Sequence, residues 1–157
     1  MGTRARAWIV PAAAWALAIA VTLGLGRRDA TITASNTTAS YTIIFTAENL
    51  VDGSNETYWI PDTTPAHVDV RFPAPREIGW VEVTNGDNLP HRNAAARALI
   101  VEVFDGDRLV STETHAFERI GTDVLRFEPH SRGDLVRVTV VSHFGALPCL
   151  AEIRWGS

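Results

Sequence analysis

Oxygen-bearing side chains are concentrated in one short stretch of this 157-residue sequence, "AENLVDGSNETYW", which runs from Ala47 to Trp59. Within it, Asp52, Asn55 and Thr57 offer a carboxylate, an amide and a hydroxyl. Asp and Asn commonly hydrogen-bond the backbone of tight turns, and oxygen donors of these types also bind hard metal ions. The residues therefore leave two interpretations, a capped surface turn or a turn that closes on a metal ion.

A second group of polar side chains follows the apolar segment that ends near Thr84. It holds amides, a carboxylate, an imidazole and a guanidinium at Asn85, Asp87, Asn88, His91, Arg92 and Asn93. His143 and Phe144, before the last apolar segment, add a ring. Aromatic rings stack on the faces of sugars, and amide or guanidinium groups donate hydrogen bonds to sugar hydroxyls. These residues indicate a loop-borne sugar site; the alternative is a plain polar loop beside a phenylalanine at the core edge.

The sequence carries no recognisable catalytic motif. Its five histidines include no closely spaced pair of the kind that binds zinc. There is no G-x-S-x-G nucleophile elbow and no glycine-rich phosphate loop. The single cysteine, Cys149, lies in an apolar run without an adjacent base, and we interpret it as a small buried hydrophobe. We therefore predict a protein without enzymatic activity.

Composition and charge exclude one class of partner. The chain is 46% hydrophobic and 20% charged, as is usual for a single globular domain of this length. Its formal charge is −4, and all 14 basic residues are arginine. Nucleic-acid binding requires clustered positive charge to contact phosphates, so we predict no nucleic-acid partner.

The N-terminus has the composition of a targeting segment. Ala7 to Gly26 is a 20-residue run without a charge, flanked on both sides by arginine pairs. It is long enough to span a bilayer, which favours a single-pass anchor, although Gly24–Gly26 also resembles a signal-peptide cleavage site. Either alternative exports the rest of the chain, either tethered to a membrane through residues 7–26 or secreted.

We predict three regions along the chain. Residues 1–28 form the signal-anchor or signal peptide, residues 29–40 a polar linker, and residues 41–157 the folded domain. Without residues 1–28 the chain keeps ten arginines against all 18 acidic residues. The exported part is therefore acidic and is not expected to bind anionic lipid headgroups.

Apolar residues alternate with polar ones through most of the second half. The alternating segments are "HVDVRF", "WVEVT", "ALIVEVFD", "TDVLRFE", "DLVRVTVVS" and "LAEIRW". A period of two with many β-branched residues predicts half-buried strands. Turn signals separate them at Pro73–Pro75, Asn85–Asp87, Asp105–Asp107 and Ser131–Gly133, and Asp105-Gly106 predicts a tight hairpin. The fold class is all-β, an antiparallel sandwich or barrel.

The order of these motifs resembles a known family. "AENLVDGSNETYW", "PREIGWVEVTNG", "ALIVEVFDG" and "DLVRVTVVSHFGALPCLAEIRW" follow one another as in the discoidin superfamily, also called factor V/VIII type C or galactose-binding-like domains. The resemblance covers Ser40 to Trp155. Within the superfamily, the sequence is most similar to a bacterial branch, the translocation and glycan-binding domain of an NAD glycohydrolase. It implies a jelly-roll β-sandwich. Asn93 matches a family Asn, but Ala94 and Ala95 stand where a further Asn and an Arg are common.

The resemblance also implies a structural calcium ion. In such domains the turn before the tryptophan often wraps Ca²⁺, which prefers six to eight oxygen ligands. Asp52, Asn55 and Thr57 would supply oxygens, and Glu152 stands where the family brings a carboxylate from the last strand. The alternative is that these residues cap turns and bind loop amides without an ion. Trp59 is predicted to fill the core rather than to carry a ligand.

Together these observations predict an exported, membrane-tethered module that binds a glycan or cell-envelope carbohydrate and catalyses no reaction. Two alternatives remain open at this level. One is a protein-interaction or scaffold domain that binds no sugar, and the other is an accessory domain of a secreted enzyme or toxin.

Overall fold

A computed structural model describes residues 30–40, 43–86, 94–119, 121 and 123–157. Within these ranges the chain forms ten strands and one 3-10 helix, Ala47–Val51. In chain order the strands are β1 Thr31–Ala34, β2 Ala39–Ser40, β3 Ile43–Ile44, β4 Ala66–Ile78, β5 Trp80–Asn85, β6 Ala94–Asp105, β7 Arg108–Ala116, β8 Val124–Phe127, β9 Ser131–Gly145 and β10 Leu150–Gly156. The predicted all-β class is confirmed.

Two antiparallel sheets form the body of the domain. The larger sheet has the strand order β1-β4-β9-β6-β7, and the smaller sheet has the order β10-β5-β8. Strands β2 and β3 form a separate two-stranded ribbon. One buried cluster combines side chains of the larger and the smaller sheet. It includes Val68 and Val138 from the larger sheet and Val83 and Phe127 from the smaller one. The two sheets therefore face each other as the layers of a sandwich.

Alternation along each strand determines which side chains fill the core. Val68 is fully buried in β4, whereas its neighbours His67 and Asp69 are half-exposed. Val68 lies opposite Val138, and Val138 lies opposite Val101 on the next strand. Each fully buried valine contributes roughly 1.5–3 kcal/mol relative to an exposed one. This row of β-branched side chains across three strands confirms the predicted half-buried strands.

The hairpin predicted at Asp105-Gly106 is also confirmed. Asp105 lies opposite Arg108, and Gly106 adopts a φ of +60°, a region that glycine enters at little cost. The Gly106 N–H donates to the carboxylate of Asp134 on β9 at 3.0 Å. The turn is therefore tied both to its own hairpin and to the neighbouring strand.

Part of the predicted linker is a strand. Thr31–Ala34 form β1, which pairs with β4 at the edge of the larger sheet and places Ile32 opposite Val70. Its residues alternate between exposed and half-buried, but most of its side chains are small or hydroxylated. Such a sequence has almost no hydrophobic alternation, so the assignment of residues 29–40 to a linker is wrong for these four residues, and also for the two residues of β2.

Two predicted turns lie inside strands. Strand β4 continues through Pro73–Pro75, where its register against β9 shifts. A bulge tolerates proline because the ladder needs no N–H there. Residues 131–133 are the start of β9, and a Cβ on Gly133 would lie 2.3 Å from the carbonyl oxygen of Phe104. This glycine allows two strands to approach closely and does not reverse the chain.

Trp59 fills the core, as predicted. It is fully buried within the main hydrophobic cluster, and its backbone exchanges hydrogen bonds with Leu150 at 2.9 and 3.1 Å. Its indole N–H donates to the Asn36 carbonyl at 3.1 Å. The side chain therefore packs between the elements it joins and is not available to stack on a ligand. Cys149 is fully buried as well, as the sequence indicated.

The predicted N-terminal membrane segment, residues 7–26, lies outside the described residues. Among the residues that are described, no helix is both long enough and apolar enough to cross a bilayer.

Candidate functional site

Strands β5, β6, β9 and β10 bring four termini together at one end of the sandwich. Strand β5 ends at Asn85, which lies opposite Leu150 at the start of β10. Strand β6 begins at Ala94, which lies opposite Gly145 at the end of β9. We refer to this region as the loop end and define it as residues 85–86, 94–97 and 143–150.

The predicted sugar-binding residues fall into two groups. Five of them lie outside the described residues: Asp87, Asn88, His91, Arg92 and Asn93. The residues that flank this segment, Gly86 and Ala94, are both buried at the loop end. His143 and Phe144 lie opposite the first residues of β6. The structure therefore places His143 and Phe144 beside the strand into which the predicted loop leads.

Asn85 has a structural role that the sequence did not reveal. Its side chain is fully buried, its amide nitrogen donates to the Ala96 carbonyl at 2.9 Å, and its amide oxygen accepts the Ala96 N–H at 2.9 Å. These two bonds join β5 of the smaller sheet to β6 of the larger sheet. The side chain is inaccessible to solvent, and both its nitrogen and its oxygen bond the backbone of Ala96. The prediction that Asn85 lies on a ligand surface therefore does not fit its position.

Burial also explains where this chain departs from the family pattern. Ala94, Ala95 and Ala96 are at most 1% exposed, and Ala94 packs with Ile60 and Cys149 in a second small cluster. A ligand cannot reach methyl groups that are enclosed in this way. The first residue of β6 that shows a polar side chain to solvent is Arg97.

Arg97 is a candidate that the sequence analysis missed. Its guanidinium carbon lies 5.6 Å from the ring centroid of Phe144, within the range of a cation–π contact. Phe144 is half-buried and packs on the main core, whereas Arg97 is exposed. A ligand that approaches this face of the ring meets the guanidinium first. The signal was present in "HRNAAAR", where three alanines separate Arg97 from the polar loop.

His143 adds a second unusual polar group at the loop end. It lies opposite Ala96, and its Nδ1 is buried without a hydrogen-bond partner among the described residues. Buried polar atoms are nearly always paired, because an unpaired one costs about 1–3 kcal/mol. The loop end therefore holds a buried imidazole nitrogen that no described residue satisfies.

The turn after the 3-10 helix lies against the last strand, as the family resemblance implied. Glu152 of β10 is 1% exposed, and its carboxylate accepts the Gly53 N–H at 3.2 Å across 99 positions of sequence. The carboxylate of Asp52, next to Gly53, accepts the Ser54 N–H and the Thr57 hydroxyl, each at 2.7 Å. Gly53 has a φ of +88°, which favours glycine and aims its N–H toward the strand.

These contacts are compatible with both interpretations of the turn. Capping bonds to Asp52 occur in any tight turn, but a buried carboxylate beside a second one is also the donor chemistry that calcium prefers. Arg154 lies 3.6 Å from Glu152 and offsets part of its charge. No group of three or more His, Cys, Asp or Glu side chains in the described ranges can hold a metal. Asp52, Glu152 and the Thr57 hydroxyl would therefore need backbone carbonyls to complete a calcium shell, and Asn55 is exposed beside them.

Comparison with known proteins rests on structure alone, since no family model and no curated protein sequence matches this chain. CpGH89CBM32-5 from Clostridium perfringens, in complex with GalNAc-β-1,3-galactose, has a TM-score of 0.70 and 13% identity over 82% of this chain and 95% of that one. The family 32 carbohydrate-binding module (CBM32) of C. perfringens NanJ, in complex with galactose, has a TM-score of 0.63 and 16% identity over 80% and 92%. The CBM32 of AlyQ, in complex with 4,5-unsaturated mannuronic acid, has a TM-score of 0.66 and 11% identity over 80% and 93%.

At identities this low, the likeness is evidence for the fold and for nothing finer. It covers at least 80% of the chain and agrees with the all-β architecture described above. The motif resemblance found in the sequence is confirmed at the level of architecture: the chain has the discoidin-like, galactose-binding-like β-sandwich fold.

Proposed function

We propose that this protein is a carbohydrate-binding module that recognises a glycan or cell-envelope sugar at its loop end and catalyses no reaction. The observation that carries the proposal is the contact of an exposed guanidinium with an aromatic ring, Arg97 over Phe144 at 5.6 Å, at the loop end, where the neighbouring residue His143 also has a buried Nδ1 without a hydrogen-bond partner among the described residues. Loops and strand ends on a rigid sandwich are common positions for binding residues.

Two further facts support this function. The solved structures that share the fold include modules in complex with galactose, with a GalNAc-galactose disaccharide and with an unsaturated uronic acid. In addition, the polar residues 87–93 join β5 to β6, whose ends both lie at the loop end. Amide, imidazole and guanidinium groups in such a loop can donate hydrogen bonds to sugar hydroxyls.

The proposal extends to the placement of the module and to its ion. Residues 7–26 tether the protein to a membrane and hold the acidic domain outside the cytoplasm. A calcium ion, bound by oxygens of Asp52, Asn55, Thr57 and Glu152, links the turn to the last strand and stabilises the fold. If the mature protein is free of the membrane and begins at Arg27 or later, residues 7–26 belong to a cleaved signal peptide and do not form an anchor.

A glycan panel tests the function directly. The full chain is probed on immobilised neutral, amino and acidic glycans, with calcium and with chelator. The proposal predicts saturable binding to a subset that shares one terminal sugar. An absence of binding to every glycan under both conditions would refute it and favour a domain that binds protein.

A further inference from the structure

The arginines of this protein are mostly neutralised by carboxylates. Of the nine arginines in the described ranges, six form ion pairs: Arg108, Arg119, Arg126, Arg132, Arg137 and Arg154. The other three, Arg71, Arg76 and Arg97, have no carboxylate of the described chain within ion-pair distance. On a chain with net charge −4, a cation that finds no acidic neighbour requires an explanation.

Position separates Arg97 from the other two. Arg71 and Arg76 lie on β4 opposite the first residues of β9, toward the end of that strand remote from Phe144. Arg76 lies over the ring of Phe72. Arg97 is therefore the arginine that the described loop end presents without a charged partner, in contact with Phe144.

The segment after β7, which passes beside Arg97, carries an acidic residue, Asp123, that is paired with another arginine. The Phe117 N–H donates to the Arg97 carbonyl at 2.9 Å, so the segment after β7 passes directly beside β6. There, Asp123 accepts two hydrogen bonds from Arg119, at 3.2 and 3.4 Å. The pKa of Arg119 is raised, first by its hydrogen bonds with Asp123 and further by the charges of Asp123 and Glu118. Asp123 is therefore held by Arg119, and no carboxylate of the described residues forms an ion pair with the Arg97 guanidinium.

A guanidinium held on an aromatic ring is prepared to bind an anion. Its planar fork matches the two oxygens of a carboxylate and binds sulfate oxygens in the same way. Contact with Phe144 limits its rotamers, so less conformational entropy is lost when a ligand binds. A neutral sugar would use the same donors, but it would gain nothing from the charge.

We propose that Arg97 makes this module select an anionic carbohydrate, one that carries a carboxylate or a sulfate on the sugar seated at the loop end. This inference rests on the proposed function and specifies its ligand class. The guanidinium of Arg97 pairs with the anionic group, and the residues around His143 contact the remainder of the sugar.

Matched sugar pairs test the inference on the full chain. Galacturonic acid is compared with galactose, glucuronic acid with glucose, and galactose 6-sulfate with galactose, by calorimetric titration at low and high salt. Exposed but well-oriented ion pairs are worth up to about fivefold in affinity, so the charged member should bind about fivefold more tightly at low salt and lose that advantage as salt screens it.

Variants then assign the preference to one residue. Arg97→Ala should equalise the charged and neutral members, and Arg97→Lys should restore part of the difference. Arg71→Ala, which removes another arginine without an ion pair far from the loop end, should change nothing. Equal or tighter binding of the neutral members by the unaltered protein would overturn the inference and leave the proposed function intact. Binding of no sugar at all would overturn both.

Discussion

At the scale of single residues, a buried polar side chain can hold two parts of the fold together through its hydrogen bonds. Asn85 is the clearest case, because its carboxamide bridges the two sheets through the backbone of Ala96. The sequence shows only an Asn before a Gly, which is a common turn signal. Only the crossing of the two sheets distinguishes a turn Asn from one that joins layers, and this crossing is a tertiary property.

The Asn85→Ala variant measures that bridge. It would remove the Asn85 partner of the buried Ala96 C=O, which costs about 1–3 kcal/mol, and would leave the Ala96 N–H only its 3.3 Å hydrogen bond to the Cys149 carbonyl. Denaturant unfolding should therefore show a marked loss of stability. Asn55→Ala, at an exposed position, should stay within about 0.5 kcal/mol of the unaltered protein in calcium-free buffer. Similar stabilities for the two variants would show that the bridge is unimportant.

The positions of the strands depend on close contacts between neighbouring backbones as well as on the alternation of apolar and polar residues. At Gly133, β9 lies so near β6 that a Cβ would meet the Phe104 carbonyl and the Val103 side chain at 2.3 and 2.7 Å. We expect Gly133→Ala to destabilise the domain by about 1–3 kcal/mol, the usual cost of overpacking. Thermal unfolding tests this, with Gly121→Ala as the control, since a Cβ there has no contact nearer than 3.9 Å. Equal melting temperatures would mean that the strands separate easily.

The turn at Asp52 and strand β10 form a second coupled pair of elements. If calcium binds only the folded state, a hundredfold excess over its Kd adds about 2.7 kcal/mol of stability. The melting temperature should rise with calcium and fall with chelator, because an ion held by Asp52 and Glu152 would join the turn to β10 in the folded state only. Asp52→Ala should abolish the response, whereas Asp62→Ala, at an exposed position, should retain it. If the melting temperature of the metal-stripped protein changes with neither calcium nor chelator, the turn binds no ion and is only a capped turn.

Sequence predicted the elements better than it predicted the site. Strands with a valine on every second position, such as β4 and β9, were recognised because alternation reports burial directly. Strand β1 was missed because its threonines and alanine carry little hydrophobic contrast. At the proposed site, His143 and Phe144 stay predictions made from residue type. Arg97 was missed and Asn85 was misassigned, because pairing across strands sets exposure and local composition does not.

The whole molecule combines an acidic sandwich with an N-terminal apolar segment. Its fold is shared with carbohydrate-binding modules at 11–16% identity, so architecture alone leaves the ligand open. The ring of Phe144 and the guanidinium of Arg97 lie at one end of the sandwich, where β5 ends and β6 begins. We propose that the sugar binds at the loop end and at no other place on the domain.

Calorimetric titration of the best sugar from the panel into matched variants is the most direct test of that claim. Arg92→Ala, within the polar loop, should weaken binding about tenfold, as the loss of one charge-assisted hydrogen bond would, and leave the melting temperature nearly unchanged. Arg132→Ala, at the opposite end of β9 from Phe144, should leave the affinity as it was. Unchanged affinity in Arg92→Ala together with a loss in Arg132→Ala would contradict a sugar site at the loop end.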